Sequence, residues 1–197
     1  MSAPPLQPPC PGSPVPSDDP DVPDIRVDHW VDPLRDGTHI LIRPLEAMDR
    51  NREFIFIRNL SPQSRHSRFL ASMREPGNQV LDQMMDIDYR QRMAYVALQM
   101  VDGVLTEIGV ARYAATDIAG ECESAVVVAD AWQRKGLGKR LMIHLINAAR
   151  FNGFADMLSM DSATNSHMRL LAQSLGFASR PDPLDATQVV HRLNLTR

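Results

Sequence analysis

Val126-Val127-Val128-Ala129-Asp130-Ala131-Trp132-Gln133-Arg134-Lys135-Gly136-Leu137-Gly138-Lys139-Arg140 is the stretch around which the chain is organised. The apolar run from Ala125 to Ala129 is too short for a helix and reads as a buried strand. A basic loop punctuated by glycines follows, and a helical pattern begins at once. In that helix Leu137, Leu141, Met142, Leu145, Ile146 and Ala149 share one face, which must pack on a sheet.

The first turn of this helix is unusual. Arg134, Lys135, Lys139 and Arg140 crowd an N-terminus whose partial positive charge favours acids. A bound anion relieves the clash. Gly136 and Gly138 let backbone N–H groups approach a phosphate closely, so the segment reads as a pyrophosphate cradle, against the plainer reading of a solvated basic helix start. A Walker A loop would need glycine where Gln133 stands and Ser or Thr at Arg140. A dinucleotide fingerprint would need glycine at Leu141.

Gln133-Arg134-Lys135-Gly136-Leu137-Gly138 resembles the Q/R-x-x-G-x-G/A signature of the GNAT superfamily of acyl-CoA-dependent N-acyltransferases. Downstream, Asn165, Met168, Leu171 and Gly176-Phe177 have the spacing of that family's N-x-x-A/M-x-x-L-x-x-x-x-G-F helix and turn. The resemblance covers about Ile40 to Leu195. It implies an α/β GNAT fold: a mixed, mostly antiparallel central sheet with a parallel pair splayed at the acetyl-CoA site, flanked by helices. It also implies that Gln133, Arg134, Lys135, Gly136, Leu137, Gly138 and Lys139 hold the pyrophosphate of acetyl-CoA, used as co-substrate.

Length suits one domain of roughly 150 residues plus a tail. Residues 1–24 hold nine of the fifteen prolines and almost no large apolar side chain, so they are expected to stay extended or disordered, as a linker or a partner-docking segment. The expected division is a proline-rich acidic tail over 1–36 and an acetyltransferase domain over 37–197. The formal net charge of −3 conceals the same division, because residues 1–36 contribute −5 and leave +2 to the rest. Nothing there favours nucleic acid. Neither a secretory signal nor an apolar run of about 18 residues occurs, which implies no membrane span and a cytoplasmic protein. The cysteines, Cys10 and Cys122, form no disulfide framework, Cys122 carries no mark of an activated thiol, and the six histidines are too scattered for a local ligand motif. No metal is expected.

Strands are expected at His39–Ile42, Arg92–Met100, Thr106–Ala115, Glu121–Ala129, Met157–Met160 and Val189–Leu195, with Asp102-Gly103 as a hairpin turn. Helices are expected at Asp49–Leu60, with Phe54, Ile55, Ile57 and Leu60 making apolar contacts, from Pro62 with Ser61 as N-cap, over 79–87 and over Leu137–Asn152, with Gly153 at the C-terminal cap. Arg43-Pro44 with Asp49, then Leu60-Ser61-Pro62-Gln63-Ser64-Arg65 and Arg68-Phe69, resembles the R-P-x-x-x-x-D and L-S-x-x-S-x-x-x-R-F opening of bacterial Pat-type protein lysine acetyltransferases. Regulation by a fused domain of the kind those proteins carry is not expected.

Acetylation of a lysine needs a neutral amine, whereas an unperturbed lysine has a pKa near 10.4, so a base is required. Glu123-Ser124-Ala125-Val126-Val127-Val128 resembles the E-F-A-V-V-V run that carries the catalytic glutamate of Pat-type enzymes, which makes Glu123 the expected base. Glu121, on the same strand face, is its rival, and Glu107 is a more distant candidate. The resemblance further implies a backbone N–H near Val126, Val127 and Val128 as oxyanion donor, and direct attack without an acyl-enzyme. Asn165 either bonds coenzyme A or caps its own helix. Met168 and Leu171 read as core with one edge on the cofactor, and Trp132 as packing. Where many family members have a tyrosine to protonate the leaving thiolate, this chain has Ala172, which implies low intrinsic turnover.

Together these features predict an acetyl-CoA-dependent N-acetyltransferase for lysine side chains of proteins. The alternatives are an acetyltransferase for a small amine or amino acid, and a catalytically weak acyl-CoA-binding sensor. The only lysines, Lys135 and Lys139, both lie in the cradle.

Overall fold

The computed structural model describes residues 29–69 and 77–196. The proline-rich stretch 1–24 lies outside them, as do the side chains of Arg68 and Phe69 from the expected motif. Eight strands form one sheet in the order β1-β2-β3-β4-β5-β6-β8-β7. They are β1 (Trp30–Pro33), β2 (His39–Pro44), β3 (Arg92–Val101), β4 (Val104–Ala115), β5 (Glu121–Val128), β6 (Asp156–Ser162), β7 (Ala178–Pro181) and β8 (Gln188–Asn194). Every neighbouring pair is antiparallel except β5 and β6, which run parallel.

Parallel neighbours need a crossover, and α4 (Leu137–Phe151) supplies it. All six apolar residues predicted for its inner face are buried. With α5 (Ser166–Ser174) this helix covers one face of the sheet, over a core that includes Ile108, Tyr113 and Met157. The opposite face carries α1 (Arg50–Asn59) and α3 (Asn78–Met85), over Val96, Leu98, Val110 and Val127, and α2 (Pro62–Phe69) follows α1 and contacts β5. In α1 the buried apolar pair is Phe56 and Ile57, while Ile55, expected to be a core contact, is exposed.

Two strands depart from the expected set. β1 pairs with β2 from Trp30↔Ile42 to Pro33↔His39, and Leu34 after it is buried, so the boundary expected at residue 36 falls inside the fold. Side-chain ties to α4 hold β1 in place. Trp30 stacks on His144 with ring centroids 4.0 Å apart, and Asp32 Oδ2 lies 2.9 Å from His144 Nε2. β7 is held by its ladder with β8 and has only exposed residues.

The Arg43-Pro44…Asp49 motif has a physical basis. Asp49 is fully buried, and Arg43 grips both its oxygens at 2.6 and 2.7 Å while Arg52 bonds Oδ1. Burial alone would raise the Asp49 pKa, but these guanidinium bonds and the Glu46 N–H hold it below the usual carboxylate range.

A bulge at Ile108 shifts the β3–β4 register from Ala97↔Gly109 to Leu98↔Glu107. Beside it, a methyl group on Gly109 would sit 3.1 Å from Leu141 Cδ1 and 3.2 Å from the Val127 carbonyl oxygen. That oxygen belongs to a paired strand and cannot yield cheaply. Gly109→Ala is therefore expected to destabilise the fold by about 1–3 kcal/mol, outweighing the ~0.4–1 kcal/mol gained from a stiffer unfolded chain. Urea denaturation measures this, and a raised midpoint would mean that α4 shifts without cost.

Candidate active site

The parallel pair is brief. β5 and β6 match only from Glu121↔Asp156 to Glu123↔Leu158, after which β6 continues alongside β8. Ser124 Oγ donates to the Leu158 carbonyl at 2.9 Å, at the apex of the resulting wedge. Ala129 N–H donates to the Ile108 carbonyl at 2.9 Å, so by strand alternation the backbone groups of Val127 and Ala125 also turn toward β4. Those of Val126 and Val128 turn the other way, into the wedge. Of the three valines expected to offer an N–H group, Val127 is thus excluded, and its side chain belongs to the second core.

Beyond β5 the chain reaches the cradle. Gly136 occupies the N-cap of α4 with φ of +94°, in the left-handed region that favours glycine, and no side chain caps the helix. The first-turn N–H groups at Leu137, Gly138 and Lys139 consequently point outward with no partner among the described residues, the arrangement that receives anions. Leu137 contributes backbone alone, since its side chain is buried.

The cations do not all face the cradle. Lys135 Nζ lies 3.1 Å from Asp36 Oδ2 and 4.8 Å from the Trp132 ring centroid, while Lys139 Nζ donates to the Ser174 carbonyl at 3.2 Å. Lys135, expected to add to the field, is largely neutralised by Asp36. Arg134, with φ of 61°, and Arg140 remain exposed. The turn after β1 adds a residue that sequence reasoning missed: Arg35 N–H donates to the Lys135 carbonyl at 3.1 Å, and its side chain packs along Gly136.

Gln133 acts as a strap. Its amide nitrogen donates to the Val128 carbonyl and to Ser64 Oγ, both at 3.1 Å. Asn165 caps α5: Oδ1 accepts from Met168 N–H at 3.1 Å and Nδ2 donates to Asp161 at 2.8 Å. Of its two expected roles, the amide is thus committed to the cap. Met168 is half-buried, Leu171 packs on the first core and Ala172 is buried within it, so no side chain at 172 reaches the wedge.

Glu123 stands exposed on the side of the sheet that carries α1 and α3, in a cleft of about 270 Å³ also lined by Ala125, Arg112, Gln83, Asp86 and Arg92. Glu121, on the same face, is buried, with Arg192 Nη2 at 3.2 Å and Thr116 Oγ1 at 3.1 Å. Glu121 is thus engaged by two donors, whereas Glu123 opens to the cleft.

Glu107 is buried. Counted as carboxylates, both its oxygens and Glu53 Oε2 lack donors, while Arg112 grips Glu53 Oε1. Burial, then the charge of Glu53, pushes the Glu107 pKa well above the ordinary value, so it is neutral and can donate to its neighbour rather than act as a base. An acid whose folded pKa is raised gives up stability as pH climbs above its unfolded value, near 4.3, toward the folded one. Glu107→Gln stays neutral throughout that window. Its stability relative to the parent should grow by up to about 1.4 kcal/mol per pH unit there. Denaturation midpoints at pH 5 and pH 8 test this, and equal differences at both would mean that Glu107 is ionised in the fold.

The model of the acetyltransferase (GNAT) domain family matches residues 91–179. The chain is 55% identical to Acetyltransferase PA5475 of Pseudomonas aeruginosa over 171 residues, 87% of this chain and 92% of that protein. Its fold is similar to the GNAT domain of S. lividans PAT, with a TM-score of 0.76 and 24% identity over 84% of this chain and 96% of that one. It is also similar to a cAMP-binding acyltransferase from Mycobacterium smegmatis, with a TM-score of 0.59 and 22% identity over 87% of this chain but 48% of that one. A splayed parallel pair leading into an uncapped, glycine-bearing helix start, together with these likenesses, establishes that the chain belongs to the GNAT family of acetyltransferases.

Proposed function

We propose that this enzyme transfers the acetyl group of acetyl-CoA to lysine side chains of protein substrates, with Glu123 as general base. The observation that carries the reading is the position of Glu123. It is an exposed carboxylate in a cleft, at the last β5–β6 pair before the wedge opens. The cradle fits a pyrophosphate because the first-turn donors of α4 have no cap and Gly138 adds no side chain over them. When bound, acetyl-CoA supplies the thioester that is the acetyl donor.

The chain's own groups divide the work. Glu123 accepts the proton that the acceptor ammonium must lose. The N–H groups of Val126 and Val128, turned into the wedge, are the candidates to stabilise charge developing on the thioester oxygen. Arg134, Arg140 and the open N–H groups of α4 bind and orient the pyrophosphate. With Ala172 buried, the departing thiolate takes its proton from solvent, which a thiol of ordinary pKa near 8.5 tolerates. A protein lysine is preferred over a small amine because the resemblance to Pat-type enzymes extends through Arg43, Asp49, Ser61 and Ser64, all of which make defined contacts.

The test is a comparison of acetyl-lysine across a proteome incubated with acetyl-CoA and either the enzyme or its Glu123→Gln variant, beside parallel assays on polyamines and free amino acids. Site-selective protein acetylation that depends on Glu123 supports the proposal. Transfer confined to small amines replaces the acceptor class, and binding of acetyl-CoA without transfer to any amine makes the protein a sensor.

A further inference from the structure

Ser61, at the N-cap of α2, and Ser64, in its first turn, converge on a residue in the link between β5 and the cradle. Asp130 Oδ2 accepts from Ser61 N–H at 2.9 Å, and Oδ1 accepts from Ser61 Oγ at 2.8 Å and Ser64 Oγ at 2.7 Å. Ser61 Oγ also accepts from Ser64 N–H at 3.2 Å, capping α2. Ser64 Oγ in turn receives the amide of Gln133, the first residue of the cradle motif, which also holds the Val128 carbonyl. One hydroxyl therefore joins the helix to the cradle. Burial pushes the Asp130 pKa up, but the Ser61 N–H and the two hydroxyls outweigh it and hold the carboxyl below its ordinary range, so the acceptor is an anion at neutral pH.

The described part of α2 is held by polar contacts, among them Arg65 Nη1 donating to the Arg58 carbonyl at 3.1 Å. Among its described side chains, Pro62 and Gln63 are exposed and Ser64 and Arg65 half-buried, so none is an apolar group sunk in the core. A helix docked by exposed polar bonds opens more readily than one docked by burial. Leu60, just before the N-cap of α2, is buried on the sheet face that carries Glu123, and α2 contacts β5.

We propose that Asp130 is a positioning residue that makes α2 and the cradle one unit, so that coenzyme A bound at the cradle holds α2 over the acceptor face. This rests on the cradle reading above. Ligand that fixes the loop fixes Gln133 and Asp130, and Ser61 and Ser64 gain rigid partners. Linkage makes the effect reciprocal, so a docked α2 also favours the ligand.

Hydrogen exchange read by mass spectrometry, with coenzyme A itself as probe, tests the coupling without knowledge of the acceptor. In the parent protein saturating coenzyme A should slow exchange of the α2 amides about tenfold, the size of an ordinary coupling. Asp130→Ala should lose that slowing at α2 while keeping it at the first turn of α4 and keeping the melting temperature. Ser64→Ala should behave in the same way, whereas Ser64→Thr, which restores the hydroxyl, should recover the response; a purely structural role would not move a ligand-dependent readout. Equal slowing of α2 in the parent, Asp130→Ala and Ser64→Ala would overturn the inference. So would a parent that binds coenzyme A by calorimetry without any slowing at α2. A parent that does not bind coenzyme A at all would overturn the proposed function itself, and calorimetry distinguishes the two failures.

Discussion

Glu123→Gln is expected to lower acetyl transfer about 10²–10⁴-fold, the usual worth of a positioned general base, while acetyl-CoA affinity changes little. The substitution keeps size and hydrogen-bonding capacity and removes only basicity. Glu123 is exposed and lines the cleft, so the fold does not depend on its charge. Two controls sharpen the result. Glu121→Gln disturbs the contact with Arg192 and should cost stability more than turnover, and Glu107→Gln replaces a buried group that is already neutral. Initial rates with each variant, beside calorimetric titration with acetyl-CoA, give the comparison. If Glu123→Gln keeps most of the activity and Glu121→Gln loses it, the base lies two residues earlier, beneath Arg192. Should both variants stay active, the proton leaves by way of water or of the substrate.

The choice between those two glutamates shows where sequence stops being legible. Glu121 and Glu123 share a strand face and a similar spacing to the loop, and nothing local distinguishes them. The distinction comes from Arg192, which β8 brings to Glu121 across β6. The same limit applies to the cations of the loop. Lys135 reads as part of the anion field until the turn after β1 places Asp36 against it. By contrast, β5, the loop and α4 were readable in advance, because an apolar run, glycine punctuation and a helical apolar stripe are local signals that tertiary contacts reinforced.

β1 and β7 were missed for a shared reason. Trp-Val-Asp-Pro and Ala-Ser-Arg-Pro each contain a proline and lack a run of inward apolar residues, and both lie at the edges of the sheet, where proline is tolerated. Their place is set by ladder partners and, for β1, by His144. The Ser61, Ser64 and Asp130 cluster was half visible. The serines stood out as a motif, but their carboxylate partner is distant in sequence and has no local mark.

Gly138→Val is expected to weaken acetyl-CoA binding at least about tenfold, or 1.4 kcal/mol. Gly138 lies in the first turn of α4, among N–H groups that no side chain caps. A Cβ there would lie 3.5 Å from Leu171 Cδ2 and 3.7 Å from Val128 Cγ2, both ordinary contacts, so alanine fits and the fold survives. Valine adds two more methyl groups. With Leu171 and Val128 already in contact with the Cβ, those groups are pushed toward the side from which a phosphate must approach. They exclude it from hydrogen-bonding range of the donors. Valine is a better helix former than glycine, so the substitution does not weaken the helix itself. Calorimetry on Gly138→Ala and Gly138→Val, each shown to be folded by circular dichroism, separates the effects: a small loss for alanine and a large one for valine is the signature of a blocked cradle. Equal affinity in the parent and both variants would move the coenzyme away from the start of α4, and with it the basis for assigning Arg134 and Arg140 to its phosphates.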